Sequence, residues 1–222
     1  MTESKAPNIA RDLIRIHSII TRSLKVAIEN SEPVAERGFS DESTREGYLN
    51  FLRAFVSVLN AHHLLEDELA FPYLRDKFPG APYDLLTSQH RLMMPILDDI
   101  KGTIEAATEA HPSERSYRFY DALTRIADIW RPHIRIEEEH FTVEKAAELI
   151  SQEEHARLGR MFTEHSQAHS GPDYLVAPFL LYNLTQEERA VFSQSMPPMV
   201  TQQLVPVVWK EKWASMTPFL LP

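Results

Sequence analysis

An all-α fold, an up-down four-helix bundle followed by a C-terminal extension of short helices, is predicted by three features of the sequence. Apolar residues recur at steps of three and four through four long segments, the period of an amphipathic helix. Each of those segments carries a histidine: His17, His62, His90 and His133. Two of these open a His-x-x-x-Glu pair, His62 with Glu66 and His133 with Glu137. Four residues at about 100° each return to within about 40° of the starting direction after a rise of about 6 Å, so each pair shares one helix face. An imidazole and a carboxylate on one face have metal-ligand spacing. Four helices that each supply a histidine, two of them adding a carboxylate, hold the donor inventory of a di-metal site inside a bundle.

The elements follow in order. From about Pro7 to Glu29 the stripe is Ile9, Leu13, Ile16, Ile20, Leu24 and Ile28, with His17 on its edge. Pro33 and Gly38 interrupt the pattern, and a second helix runs from about Thr44 to Lys77, with Tyr48, Phe51, Leu52, Phe55, Val58 and Leu59 leading into His62. Pro72 is expected to kink or end it. After the FPGAPYD turn a third helix spans about Tyr83 to Ala107 with His90, Leu86, Met93, Met94 and Leu97. Ser113 is a candidate N-cap for a fourth, through Tyr117, Tyr120, Leu123, Ile126, Ile129 and Trp130 to His133. Pro95 and Pro132 mark expected local kinks near the ligands.

The character changes after about Glu148, which divides the chain into residues 1–150, the bundle with its di-metal site, and residues 151–222, an extension packing on it. Residues Ser151 to about Ser166 are polar and helical in pattern. Beyond Gly171 come seven of the fifteen prolines, the capping-box pattern Thr185-Gln-Glu-Glu188 and an apolar, tryptophan-bearing end. Tyr174, Phe179, Tyr182, Trp209, Trp213 and Phe219 are too apolar for a free tail. Trp209 and Trp213, four apart, are expected on one face of a short helix between Pro206 and Pro218, walling a pocket toward the metals.

Composition narrows the chemistry. With 23 basic and 32 acidic residues the net charge is -9, which opposes nucleic acid and anionic membrane surfaces as partners. No signal-like start and no run of 18 apolar residues is present, so a cytoplasmic protein is expected. The chain has no cysteine, which excludes thiolate zinc sites, iron–sulfur clusters and cysteine nucleophiles. Any metal is held by nitrogen and oxygen.

The segments HHLLEDELAFPYL and HIRIEEEHF resemble the two signature segments of the hemerythrin-like, HHE cation-binding domain family, and the order His17, His62/Glu66, His90, His133/Glu137 extends the likeness over roughly residues 7 to 145. The resemblance implies a cofactor of two non-haem iron ions, oxo- or hydroxo-bridged. His17 and His62 would bind one, His90 and His133 the other, and Glu66 and Glu137 would bridge them. Donor type alone also suits manganese or zinc. Oxygen-carrying hemerythrins place a further histidine four residues after the third-helix ligand, where this chain has Met94; the site is therefore expected to be more open than a carrier's, with His140 a candidate for the missing ligand. Glu138 competes with Glu137 as the bridge, and Glu137 is preferred. His63 points about 100° from His62 and reads as a neighbour rather than a ligand. His111, His155, His165 and His169 lie in polar surroundings and read as chemically idle.

The leading functional expectation is a di-iron protein that binds or activates dioxygen, peroxide or nitric oxide. An oxygen or iron sensor or store without catalysis, and a di-iron oxidase or oxygenase of secondary metabolism, stand as alternatives. The sequence leaves open whether the chain is an enzyme, and a homodimer is compatible with its apolar end.

Overall fold

The computed structural model describes residues 6–107 and 113–222, with side chains over 6–106 and 118–222, and among them there are helices and turns but no strand. His111, the Ser113 cap and the Tyr117 contact fall outside what is described. Helix α1 (Ile9–Arg37) starts where the Asn8 side chain accepts the backbone N–H groups of Ala10 and Arg11. It runs past the expected end near Glu29. Pro33 is tolerated inside it because Val34 and Ala35 are buried beyond the proline, and Gly38, at φ 74°, returns its N–H to the Val34 carbonyl. Helix α2 (Glu42–Leu65) is capped by Asp41, whose carboxylate accepts the Thr44 N–H and is held near pKa 2 by that bond and by Ser40 and Thr44.

The second long helix is not uniform to Lys77, as its periodicity suggests. At Glu66 it widens into a π-helical stretch, Glu66–Ala70, and resumes as α3 (Phe71–Lys77). The Phe71 N–H reaches back five residues to the Glu66 carbonyl. Pro72, without an N–H, falls in the first turn of α3, where no partner is required.

Helices α4 (Tyr83–Ala107) and α5 (Ser113–His140) pass through Pro95 and Pro132 without a break in helical assignment. Helix α1 packs on α5 and α2, and α4 packs on the same two, which closes a four-helix bundle. No helix among the described residues is long and apolar enough to cross a membrane.

Beyond the bundle lie α6 (Val143–Leu149), α7 (Gln152–His169), α8 (Asp173–Tyr182), α9 (Gln186–Phe192) and α10 (Lys210–Trp213), joined by short 3-10 and π-helical turns. Capping boxes open α7 at Ser151/Glu154 and α9 at Thr185/Glu188. His155 is not idle. It is 1% exposed, accepts the Ile9 N–H at Nδ1 (3.3 Å) and donates from Nε2 to the Ala146 carbonyl (3.2 Å), tying the start of α1 to α6 and α7.

Helix α8 and the closing 3-10 turn Ala214–Phe219 pack on α2. Phe179 meets Phe51, and Phe219 meets both Tyr48 and Phe51, in one continuous apolar cluster with the bundle interior. The tryptophans do not wall a pocket toward the histidines. Trp213 stacks on Tyr182 at 5.0 Å and donates from Nε1 to the Val205 carbonyl, within the extension itself. The physical reason is local: Pro206 lies inside a π-helical stretch, Val200–Val208, in which Val205 is buried and its carbonyl takes the Trp213 indole N–H.

Candidate metal centre

Four imidazoles converge in the bundle interior because each helix places its histidine at the same level of the core. His17, His62, His90 and His133 are all at most 3% exposed, and Glu66 and Glu137 are equally buried. Their Nε2 atoms turn inward. Glu66 Oε2 lies 3.4 Å from His62 Nε2 and 3.3 Å from His90 Nε2, so this carboxylate stands between helices α2 and α4. Glu137 Oε2 lies 3.1 Å from His17 Nε2 and 3.5 Å from His133 Nε2, standing between α1 and α5. His90 Nε2 and His133 Nε2 are 3.1 Å apart. Two donors at right angles on an ion about 2.1 Å away would be separated by about 3 Å, so this spacing is that of neighbouring ligands.

The donors form two groups of four: His17, His62, Glu66 and Glu137, and His90, His133, Glu66 and Glu137. Both groups share the same two carboxylates. All six residues singled out by the sequence are therefore brought together.

Three outer nitrogens are held by side chains that set the ring direction. His17 Nδ1 meets Glu138 Oε1 at 2.9 Å, His90 Nδ1 meets Asp67 Oδ1 at 3.1 Å, and His133 Nδ1 meets Gln89 Oε1 at 3.0 Å. Glu138 and Gln89 each accept an Nδ1–H, which leaves the Nε2 lone pairs of His17 and His133 facing inward, and Asp67 sets its charge at ion-pair distance from His90 Nδ1. Glu137 is thus the inner carboxylate and Glu138 the outer one. Gln89 went unrecognised in the sequence, although it directly precedes His90.

Trp130 forms the wall common to the site. Its ring meets His17 edge-on at 5.4 Å and His62 at 5.7 Å, and its Nε1 donates to Thr21 Oγ1 at 2.9 Å. Phe71 stacks on His90 at 5.6 Å, nearly parallel. An aromatic residue in a helical stripe reads as ordinary core, so neither role is visible from periodicity.

Without a cation the cluster is electrostatically uncomfortable. Burial, with Glu137 close by, pushes Glu66 up to about 7. Burial pulls His17 and His90 down, but Glu137 and Glu138 outweigh it for the first, and Asp67 and Glu66 for the second, raising each to about 9. Burial drives His62 well below the ordinary imidazole value and His133 to about 4. His17 Nε2, His62 Nε2 and both oxygens of Glu66 and Glu137 are buried with no hydrogen-bond partner. Each orphaned group costs about 1–3 kcal/mol, a penalty that a bound cation would remove. The nitrogen and oxygen donors fit iron, manganese or zinc alike.

His63 is a seventh buried member of the neighbourhood, stacked on His90 at 4.2 Å. Met94 is half-buried against the apolar core. His140 Nδ1 donates to the Ile136 carbonyl at 2.8 Å and belongs to none of the donor groups. At the surface, His165 meets Glu68 at 2.8 Å and sits beside His169. A cavity of about 30 Å³ lined by Ile9, Leu13, Phe71, Phe141 and Phe162 reaches Glu66 from the side of α1 and α7.

Compared with known protein families, the chain matches the hemerythrin HHE cation binding domain over residues 8–142. No curated protein and no solved structure matches it.

Proposed function

Since this chain belongs to the hemerythrin HHE cation-binding domain family, we propose that its core holds two iron ions and binds or activates dioxygen, peroxide or nitric oxide there. His17 and His62 would hold one ion, His90 and His133 the other, with Glu66 and Glu137 between them. The observation that carries the proposal is the pair of four-donor groups that share those two carboxylates.

When bound, two ferrous ions supply electrons to a small ligand. The protein's own residues do the rest. Glu138 and Gln89 take the Nδ1 hydrogens of His17 and His133 and thereby fix the lone pairs on Nε2, while the Asp67 carboxylate orients His90 by charge. Trp130 and Phe71 exclude water from the inner face of the cluster. The apolar cavity beside Glu66 has room for a diatomic molecule or one or two waters, which supports a small ligand at the site.

Anaerobic loading with ferrous iron, followed by metal analysis and a visible spectrum after exposure to air, tests the proposal. About two irons per chain are expected. Uptake of one iron or fewer in fully loaded, folded protein would overturn it.

A further inference from the structure

We infer that Glu68, His165 and His169 form a second cation site, at the surface, for a divalent transition-metal ion such as zinc. It lies across the seam between the π-helical stretch Glu66–Ala70 and helix α7, and it is independent of what occupies the buried cluster.

The three donors come from the two sides of that seam. His165 and His169 stand four residues apart near the end of α7, which puts both on one helix face. Glu68 projects from the widened turn opposite. One ligand atom from each of the three lies within 4.8 Å of those of the other two. His165 Nε2 and Glu68 Oε2 are 2.8 Å apart, and the two imidazole centres are 4.4 Å apart. Neighbouring donors in a tetrahedral set about 2.1 Å from zinc are separated by about 3.4 Å, so only small movements are needed to seat the ion.

The needed movement is a turn of one ring. The imidazole planes are inclined by 31°, too little for both to aim at one ion as they stand. His169 is exposed in the last turn of α7, and the terminal torsion of histidine has a broad well, so its ring turns at little cost. His165 is the fixed member, 11% exposed at its side chain and held by Glu68.

The donors suit the ion. His165 Nδ1 is buried with no partner, so hydrogen bonding within the protein leaves one side of this ring unused. Among the described residues no lysine or arginine pairs with Glu68, whose ion-pair partner is His165. Two imidazoles and one carboxylate select zinc, copper or nickel over magnesium and calcium, which take oxygen donors, and three protein ligands leave a fourth tetrahedral position for water.

The position gives the ion a structural effect. Glu68 is two residues beyond Glu66, and Phe162, three residues before His165, lines the cavity that reaches Glu66. An ion held by all three donors ties α7 to the π-helical stretch and keeps Phe162 against that cavity.

Equilibrium dialysis of the metal-free protein against zinc, followed by metal analysis, tests this on wild type, His165→Ala and His169→Ala. The core donors are the same in all three, so the difference in content counts the surface site alone, whatever the core itself takes up. Wild type is expected to hold about one zinc more per chain than either variant. Competition with a chromophoric chelator should show the extra zinc weakened about tenfold or more in Glu68→Gln. Zinc should also slow amide exchange along α7 more in wild type than in His169→Ala. Where His165→Ala does not fold, His169→Ala, altered at an exposed position, carries the comparison. Equal zinc content in wild type and folded His169→Ala, or an extra zinc held as tightly in Glu68→Gln as in wild type, overturns the inference.

Discussion

Asp67 is 31% exposed at its side chain, yet it meets the Nδ1 of a histidine that is almost wholly buried. Asp67→Asn is expected to weaken metal binding about 10- to 100-fold, because the amide no longer stabilises the Nδ1 hydrogen with a charge; chelator competition measures it. His62→Ala and His133→Ala should each remove most of one metal from the loaded protein and lower its melting temperature, which metal analysis and calorimetry check. The pH dependence has a definite sign. His17 and His90 sit near 9 in the metal-free fold against about 6.5 unfolded, so their stabilisation is complete below 6.5 and is lost as pH rises toward 9. Glu66, at about 7 against 4.5, loses in the same direction over a lower window. Metal binding requires neutral imidazole and so improves with pH. Calorimetry from pH 6.5 to 9 should show the metal-free protein melting at falling temperature while the loaded protein does not follow, and metal uptake at neutral pH should release protons. At this scale the sequence located the buried donors that converge and was silent on their supports. Spacing marks His62/Glu66 and His133/Glu137 because both members lie on one helix, whereas Gln89 and Trp130 meet histidines of other helices, and no local pattern records such a contact.

At the scale of elements, periodicity located all four long helices, since each buries an apolar stripe. It misplaced their ends where a proline was read as a stop. Pro33 sits inside α1 because buried residues follow it, and tertiary burial outweighs the one lost backbone bond. The π-helical stretch at Glu66 was likewise hidden, since apolar spacing hardly changes when one turn widens. Helix α2 also carries a position that only a partner explains. A β-carbon on Gly47 would lie 1.9 Å from the Ser215 carbonyl oxygen, so the closing 3-10 turn Ala214–Phe219 approaches its backbone directly. Gly47→Ala should destabilise the protein by about 1–3 kcal/mol, and by more if the turn is forced off the helix, as read by urea denaturation. His155→Phe should cost about 1–3 kcal/mol by orphaning the Ile9 N–H, while the Ala146 carbonyl keeps its bond from Ile150.

Taken as a whole molecule, the residues after 170 share one apolar cluster with the bundle interior while α7 packs into a second one at its other end, for which the lid-like arrangement inferred from tryptophan spacing was the wrong picture. Spacing within residues 209–213 told which side chains could lie together, not which surface they would cover. Phe179, Trp213, Met216 and Phe219 are buried, and each large side chain contributes about 1.5–3 kcal/mol. Losing four of them, and exposing Tyr48 and Phe51, approaches the whole stability of a typical domain. Deleting residues 171–222 is therefore expected to abolish cooperative thermal unfolding of the metal-free chain; a truncated protein that melts cooperatively near the wild-type temperature would contradict this.

The π-helical stretch has a consequence for how this chain tolerates change in length. It holds one residue more than an α-helix would spend on the same rise, and it sits between Glu66 and Phe71. Removing Glu68, an exposed residue, would let an uninterrupted α-helix cover the same rise, so Phe71 and the rest of α3 would keep nearly their present height and direction. His62, Glu66 and the Phe71 face against His90 would be retained. A one-residue deletion here is thus absorbed by the widened turn, whereas the same deletion between Phe55 and His62 would turn one part of the helix against the other by about 100°.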